Sequence, residues 1–385
     1  MSENFKFNCP HCDRHLSGDT SMIGCDIECP DCKKNIKVPA PVKKSSAAKG
    51  SLEPLLSDEE KEKIKNEVKQ ACGMIKKLKE EMALAIVGQV GLIDQLLIGI
   101  LSGGHVLVEG VPGLAKTVII KNLSDCLQAG FQRIQFTPDL LPADIVGSMI
   151  YNPKTSEFTT RKGPVFTNIL LADEINRCPP KVQSALLEAM AEQQVTIGDT
   201  TYKLEQPFLV MATENPLESE GTYPLPDAQL DRFMIKAYID YPTKEEELEI
   251  LEFIANGNAK PKLDPILDVK QLLDLRKMAN DIYMAQELRQ YIVDIVVATR
   301  DIGKLSEKLA PLVKFGVSPR ATICMTKAAR AKALLAGRYY VIPDDIKSIA
   351  SSILGHRILT TYEADAEEVT SYDIVRKLLD LVPVP

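Results

Sequence analysis

Two short clusters in this chain carry residue types and spacings that could do chemistry. The first is Gly110-Val111-Pro112-Gly113-Leu114-Ala115-Lys116-Thr117. It follows the apolar run His105-Val106-Leu107-Val108-Glu109, which reads as a buried strand, and precedes Val118-Ile119-Ile120-Lys121-Asn122-Leu123, which can continue as a helix. A glycine loop ending in Lys-Thr between a strand and a helix is the context of a phosphate-binding loop. Backbone N–H groups can wrap phosphates there, and the helix N-terminus adds its dipole. Lys116 would reach the β/γ-phosphates and the Thr117 hydroxyl would ligate Mg²⁺. Ala115 stands where the general pattern has its second glycine. The plain alternative is a turn that merely needs glycine.

The second cluster is Ile169-Leu170-Leu171-Ala172-Asp173-Glu174, an apolar strand delivering two adjacent carboxylates at its C-terminal edge. Open α/β sheets hold their ligands at that edge. Asp173 would hold Mg²⁺ through water, and Glu174 would take a proton from the attacking water. An apolar run ending in Asp-Glu is a weak signal alone. Downstream of a phosphate loop it points to nucleotide hydrolysis, because a mere binding module needs no base.

The elements that must position these clusters follow from pattern. Strands alternate with helices from 105 to about 240, near 106–109, 131–136, 167–172, 207–213 and 233–239, which predicts a parallel, helix-covered α/β sheet. Before it, Ser57 with Glu60 forms a capping box that opens a charged helix running to about 84, and an apolar helix ends near Leu101. After Tyr241-Pro242-Thr243 the periodicity turns helical, giving an all-α domain over 243–385 that follows an α/β domain over 56–242.

The N-terminus is different in kind. Cys9-Pro10-His11-Cys12 and Cys29-Pro30-Asp31-Cys32 are separated by 16 residues, the spacing of a four-cysteine zinc site. His11 and His15 are close enough to substitute, and disulfides or a redox role compete. The five other cysteines leave an odd number, which suits a reducing compartment. Residues 1–40 are too few to form a core unaided, so a structural Zn²⁺ ribbon is expected there, followed by a flexible linker over 41–55. Residues 1–50 carry 8 Lys+Arg against 6 Asp+Glu, a weak basic balance that four zinc-bound thiolates would cancel.

The whole chain of 385 residues has a formal charge of −7, which argues against a dedicated nucleic-acid binder. Its polar, cysteine-bearing start does not read as a secretory leader, and its most apolar stretch, Leu92 to Leu101, is too short to span a bilayer. A cytoplasmic protein without membrane insertion is the expectation.

Together the motifs resemble the MoxR AAA+ ATPases, in a clade shared with magnesium-chelatase motors and MCM helicases. The resemblance covers roughly 55–360. It rests on the two clusters, on Phe136 through Gly147, Leu170 through Arg177 with Pro179-Pro180, Ala212-Thr213-Glu214-Asn215-Pro216, Gln229-Leu230-Asp231-Arg232-Phe233 and Gly316-Val317-Ser318-Pro319-Arg320-Ala321. Alanine at position 115 is usual in that family's loop. The resemblance implies an AAA+ P-loop domain with an α-helical lid, and ATP and Mg²⁺ as cofactors. It implies adenine contacts at Val87, Gly88 and Gln89. Asn215 would orient water or sense the γ-phosphate, its alternative being a turn Asn before Pro216. Arg232 would serve a neighbour's nucleotide in trans, as arginine fingers do, the alternative being a surface pair with Asp231. Arg320, beginning a helix capped by Ser318 with Pro319 in its first turn, would bind nucleotide phosphate, since a cation there is disfavoured without an anionic partner. A solvated surface arginine is the alternative.

These roles require a homo-oligomeric, hexameric ring. The expected function is ATP hydrolysis coupled to remodelling of a protein client, by family analogy a von Willebrand factor A-domain protein. Residues 147–166 and 194–207 resemble that clade's two pore-directed hairpins. Their weak basic content (Lys154, Arg161 and Lys162 against Glu157; Lys203 against Asp199 and Glu205) disfavours the alternative of a nucleic-acid motor. A nucleotide-gated scaffold that barely hydrolyses is disfavoured by the intact Asp173–Glu174 pair.

Overall fold

The computed structural model describes residues 4–8, 15–19, 25–30, 32–37, 57–111, 113–154, 156–216, 221–255 and 262–385. The chain divides into two compact units, residues 1–51 and 52–385. The first contains two antiparallel hairpins, β1 (Asn4–Asn8) with β2 (His15–Asp19) and β3 (Asp26–Glu28) with β4 (Asn35–Lys37). Cys29 and Cys32 fall in the β3–β4 turn. The Cys29 N–H donates to the Lys34 carbonyl and the Lys33 N–H to the Cys29 carbonyl, both at 2.9 Å. Cys29 is buried and Cys32 half-buried. Cys9, Cys12, the linker over 41–55 and Pro112 of the glycine loop lie outside the described residues.

The second unit opens with α1 (Asp58–Ala83), whose first turn is closed by the expected box: the Glu60 N–H donates to Ser57 Oγ (3.3 Å) and the Ser57 N–H to Glu60 Oε2 (3.0 Å). Val68, Ala71, Ile75, Leu78 and Met82, spaced three and four apart, form its buried stripe. The apolar α2 (Val90–Ser102) ends on Gly103, whose φ of 67° needs glycine. Next come β5 (Val106–Glu109), α3 (Lys116–Cys126), β6 (Phe131–Gln135), α4 (Pro142–Val146), the hairpin β7 (Gly147–Asn152) with β8 (Glu157–Lys162), and β9 (Ile169–Asp173). They are followed by α5 (Pro180–Glu192), the hairpin β10 (Gln194–Ile197) with β11 (Thr200–Lys203), β12 (Leu209–Glu214), α6 (Asp227–Leu230) and β13 (Ile235–Tyr238).

Five of these strands form one parallel sheet in the order β13-β5-β12-β9-β6. Both faces of its central strands are covered, which is why they read as continuous apolar runs. Ile169, Leu171, Leu209 and Met211 point into a core shared with α1, α2, α3 and the C-terminal helices. Their neighbours Leu170, Ala172, Val210 and Ala212 point into a second core against α5. The register sets Tyr238 beside Glu109, Glu109 beside Glu214, and Asp173 beside Gln135. Polar residues from all five strands are therefore level at one carboxyl edge.

The C-terminal region contains α7 (Lys244–Ala255), α8 (Val269–Asp281), α9 (Gln286–Arg300), α10 (Pro319–Leu335), α11 (Pro343–Leu354), α12 (Tyr362–Ala366) and α13 (Ser371–Leu381). The expected all-α character holds except for β14 (Val313–Phe315) and β15 (Leu359–Thr360). These short extended segments satisfy their backbone groups by pairing antiparallel with each other. Ala321, Ala328, Ala329, Ala331 and Ala333 leave α10 thin enough to pack closely against α2, α8, α9 and α11. Among the described residues no helix is long and apolar enough to cross a membrane.

Candidate active site

At the carboxyl edge of β5 the chain turns tightly. A Cβ on Gly110 would lie 2.0 Å from Ile239 Cγ2, so only glycine fits. Gly113 has φ 90° and faces open space. Ala115 holds φ 55°, left-handed, at the N-cap of α3, a conformation that costs an alanine about 1 kcal/mol. The loop thus bends as a glycine there would, and brings Lys116 and Thr117 onto the first turn of α3. Lys116 Nζ donates to the carbonyls of Gly110 (2.6 Å) and Glu214 (3.1 Å). Burial pushes its pKa down, against the pull of Asp173, Glu174, Glu109 and Glu214.

Asp173 closes β9 and is only 6% exposed. Its Oδ1 accepts from Thr213 Oγ1 (2.6 Å). Its Oδ2 accepts from Thr117 Oγ1 (3.1 Å) and from Arg133 Nε and Nη2 (3.0 and 2.7 Å). Glu174 adopts φ 56°, ψ 53°, which ends the strand and redirects the chain. Its N–H donates to Thr213 Oγ1 (2.8 Å), and its Oε2 accepts from Gln135 Nε2 (2.6 Å) and pairs with Arg177 Nη1 (3.2 Å). Thr213, fully buried on β12, therefore ties the two carboxylate residues together. Asn215, 3% exposed, directly follows β12, and its carbonyl accepts from Asn176 Nδ2 (3.4 Å).

Lys116, Thr117, Asp173 and Glu174 are thus brought to one edge, with Asn215 at the end of the strand between β5 and β9. Val87, Gly88 and Gln89 form the entry to α2. Gly88 and Gln89 are both left-handed, and Gln89 Nε2 donates to the Asp240 carbonyl (3.1 Å).

The two distal arginines lie elsewhere. Arg320 is half-exposed and donates to Asp231 Oδ2 at 3.0 Å. The Ser318 hydroxyl does not cap α10, as expected from sequence, but turns to the same carboxylate at 3.2 and 3.3 Å. Asp231 also accepts from Arg357 Nε (2.8 Å), so its partners are lid residues rather than Arg232. The Arg357 guanidinium, 1% exposed, further donates to the carbonyls of Phe233 (2.6 Å), Met234 (3.2 Å) and Asp231 (3.2 Å). Arg232 makes no side-chain ion pair among the described residues.

Sequence reasoning missed Arg133, Gln135 and Arg357. The alternation Phe131-Gln132-Arg133-Ile134-Gln135 puts two polar groups on one strand face, a readable signal, but not which strand they adjoin. It also missed the half-buried Lys236, which pairs with Glu109 and stands 3.9 Å from Glu214. Burial pushes the Glu214 pKa up, and Lys236 only partly offsets this.

A lysine at a helix N-terminus, a hydroxyl beside a buried carboxylate, and a second carboxylate next in sequence suit a polyphosphate and a hydrated divalent cation. Among the described residues no group of three or more His, Cys, Asp and Glu is placed to hold a metal by itself. With the acidic strand separated from the loop strand by one strand, fold and site define a P-loop nucleoside-triphosphatase with a helical lid.

Comparison with known proteins makes this more specific. Residues 105–235 match the model of the ATPase family associated with various cellular activities, and residues 307–378 match the AAA lid domain. The chain is 46% identical to chaperone MoxR1 of Mycobacterium tuberculosis over 306 residues, 79% of this chain and 81% of that protein. It is 45% identical to the uncharacterized protein YeaC of Bacillus subtilis, over 81% of this chain and 95% of that one. A crystal structure from Cytophaga hutchinsonii superposes with a TM-score of 0.79 at 46% identity, covering 85% of this chain and 98% of that chain. The chain belongs to the MoxR-type AAA+ ATPases. It is an ATPase.

Proposed function

We propose that this chain forms a homo-oligomeric, hexameric ring in the cytoplasm and couples ATP hydrolysis to remodelling of a protein client. The observation that carries the reading is the hydrogen-bonded set Thr117–Asp173–Thr213–Glu174, level with Lys116 at the sheet's carboxyl edge. In it, Lys116 and the N–H groups of Gly110, Val111, Gly113, Leu114 and Ala115 bind the phosphates. Thr117 and Asp173 hold hydrated Mg²⁺, which neutralises charge on the transferring phosphoryl group. Glu174 is the base, and Asn215 orients the water. Val87, Gly88 and Gln89 border the adenine. Arg232, without a side-chain ion pair among the described residues, serves a neighbouring subunit. Arg320 must leave Asp231 to reach a phosphate.

A protein client is favoured by the β7–β8 hairpin, which exposes Met149, Ile150, Tyr151 and Phe158. The Tyr151 and Phe158 rings lie 5.2 Å apart at its outer end. A surface of this kind suits apolar polypeptide better than a phosphate backbone. In the N-terminal unit the buried Cys29 and nearby Cys32, with Cys9 and Cys12, would hold a structural Zn²⁺.

The test is a trap. Glu174→Gln protein, purified from its own cells with ATP and Mg²⁺ and treated with nuclease, should retain ATP, lose turnover and carry a specific protein. That protein should be lost when Lys116 is also replaced by Ala. Near-normal hydrolysis in Glu174→Gln, or recovery of nucleic acid alone, would overturn the reading.

A further inference from the structure

The edge strand β6 brings an arginine to the carboxylate assigned to the metal. Arg133 donates two bonds to Asp173 Oδ2, at 2.7 and 3.0 Å, and among the described residues it is the cationic side chain in contact with that oxygen. The same Nη2 donates to Gln135 Oε1 at 2.7 Å, and Gln135 Nε2 donates to Glu174 Oε2 at 2.6 Å. One continuous path therefore runs from Asp173 through Arg133 and Gln135 to Glu174. Both β6 residues project from one face of the strand, two positions apart, and Gln135 is in register with Asp173.

A hydrated Mg²⁺ and a guanidinium make the same demand on Asp173, a carboxylate oxygen able to accept hydrogen bonds from a cation. Thr117 already takes part of Oδ2, so the two cannot both be fully served there. We propose that Arg133 is a positioning residue, a resident cation that balances Asp173 in the metal-free protein and is displaced by hydrated Mg²⁺. Its departure removes the donor that orients Gln135 and so loosens the hold on the Glu174 carboxylate. The base is thereby released by arrival of the metal, not of the nucleotide alone. Arg177 stays beside Glu174 as its local partner. Arg133 is half-exposed, so the exchange is a modest competition rather than the rupture of a buried pair. The inference rests on the assignment of Asp173 to Mg²⁺.

The experiment titrates Mg²⁺ against binding of N-methylanthraniloyl-ADP, followed by fluorescence, with metal-free affinity measured in EDTA. In the wild type, Mg²⁺ strengthens binding, and Asp173→Ala abolishes the gain. A wild type without that gain refutes the metal assignment. Given the gain, Arg133→Ala lowers the Mg²⁺ concentration for half effect about threefold to fivefold and leaves the EDTA affinity unchanged. Arg133→Lys, charged but without the planar fork, falls between the two. Arg133→Gln, read together with a thermal unfolding curve, replaces the alanine variant if that variant is unstable. An unchanged or raised Mg²⁺ requirement in a folded Arg133 variant overturns the proposal.

Discussion

Replacing Thr213 by Val tests whether the two carboxylates work as one unit. Valine keeps the branched shape and removes the hydroxyl, which is fully buried and donates at 2.6 Å to Asp173 while accepting at 2.8 Å from the Glu174 N–H. The bond to an ionised carboxylate is worth about 1.5–3 kcal/mol and the amide bond about 1 kcal/mol. Asp173 keeps Arg133 and Thr117, so its charge is not stranded. The expected loss is about 3 kcal/mol in urea unfolding followed by fluorescence of bound dye. Glu174 holds a left-handed backbone with its amide pinned by this hydroxyl. Its carboxylate should lose its placement, lowering kcat about tenfold to a hundredfold. Thr213→Ser, which keeps the hydroxyl, should stay within about 1 kcal/mol of wild type. A Thr213→Val protein within about 0.5 kcal/mol of wild type and with unaltered turnover would refute the reasoning.

Three further outcomes follow from residues already described. His105 is buried, accepts at Nδ1 from the Val210 N–H (2.9 Å), and lies 3.3 Å by Nε2 from the Met190 carbonyl; burial lowers its pKa to about 4. The unfolded chain therefore binds more protons between about pH 6.5 and 4, and stability falls by roughly 3 kcal/mol as pH drops through that window. Denaturation curves from pH 7 to 4 should be shallower in pH for His105→Gln, and identical slopes would count against it. Half-buried His356, desolvated among its neighbours, is shifted in the same direction and adds to the slope of both proteins. Ala115→Gly relieves the left-handed alanine and should raise stability by up to about 1 kcal/mol with nucleotide affinity intact; a loss of stability on urea unfolding would contradict this. Metal analysis of the purified chain should give one Zn²⁺ per subunit, absent in Cys29→Ser; equal zinc in both would remove the ribbon assignment.

Much of this molecule could be read from local patterns. The Ser57–Glu60 box marked the start of α1, and apolar runs marked the central strands β5, β9 and β12 because both their faces are buried. Asp173 and Glu174 were legible because they end an apolar run downstream of a phosphate loop; the same pair alone would be a weak signal. Arg133 was not, because it lies 40 residues from Asp173 and acquires its role only when β6 becomes the neighbour of β9. Ser318 looked like a helix cap by local rules, yet its hydroxyl accepts no helix N–H and instead donates to a carboxylate 87 residues away in sequence. Tyr151 and Phe158 carry no mark of pairing in the sequence; only the antiparallel register of the hairpin sets their rings together. Strand pairing and domain packing are non-local, and side chains that respond to them carry no local mark.

The Arg357 clamp limits how the lid can travel. Its guanidinium is sealed from water, and among the described residues Asp231 is the carboxylate that answers its charge. Pulling it out would leave both ions stranded during the movement, at a cost of several kcal/mol, many times thermal energy. The lid is therefore tied to the sheet domain at residues 231–234. A movement that kept these bonds would pivot there, and half-exposed Arg320, bound to the other oxygen of the same carboxylate, could let go while they held.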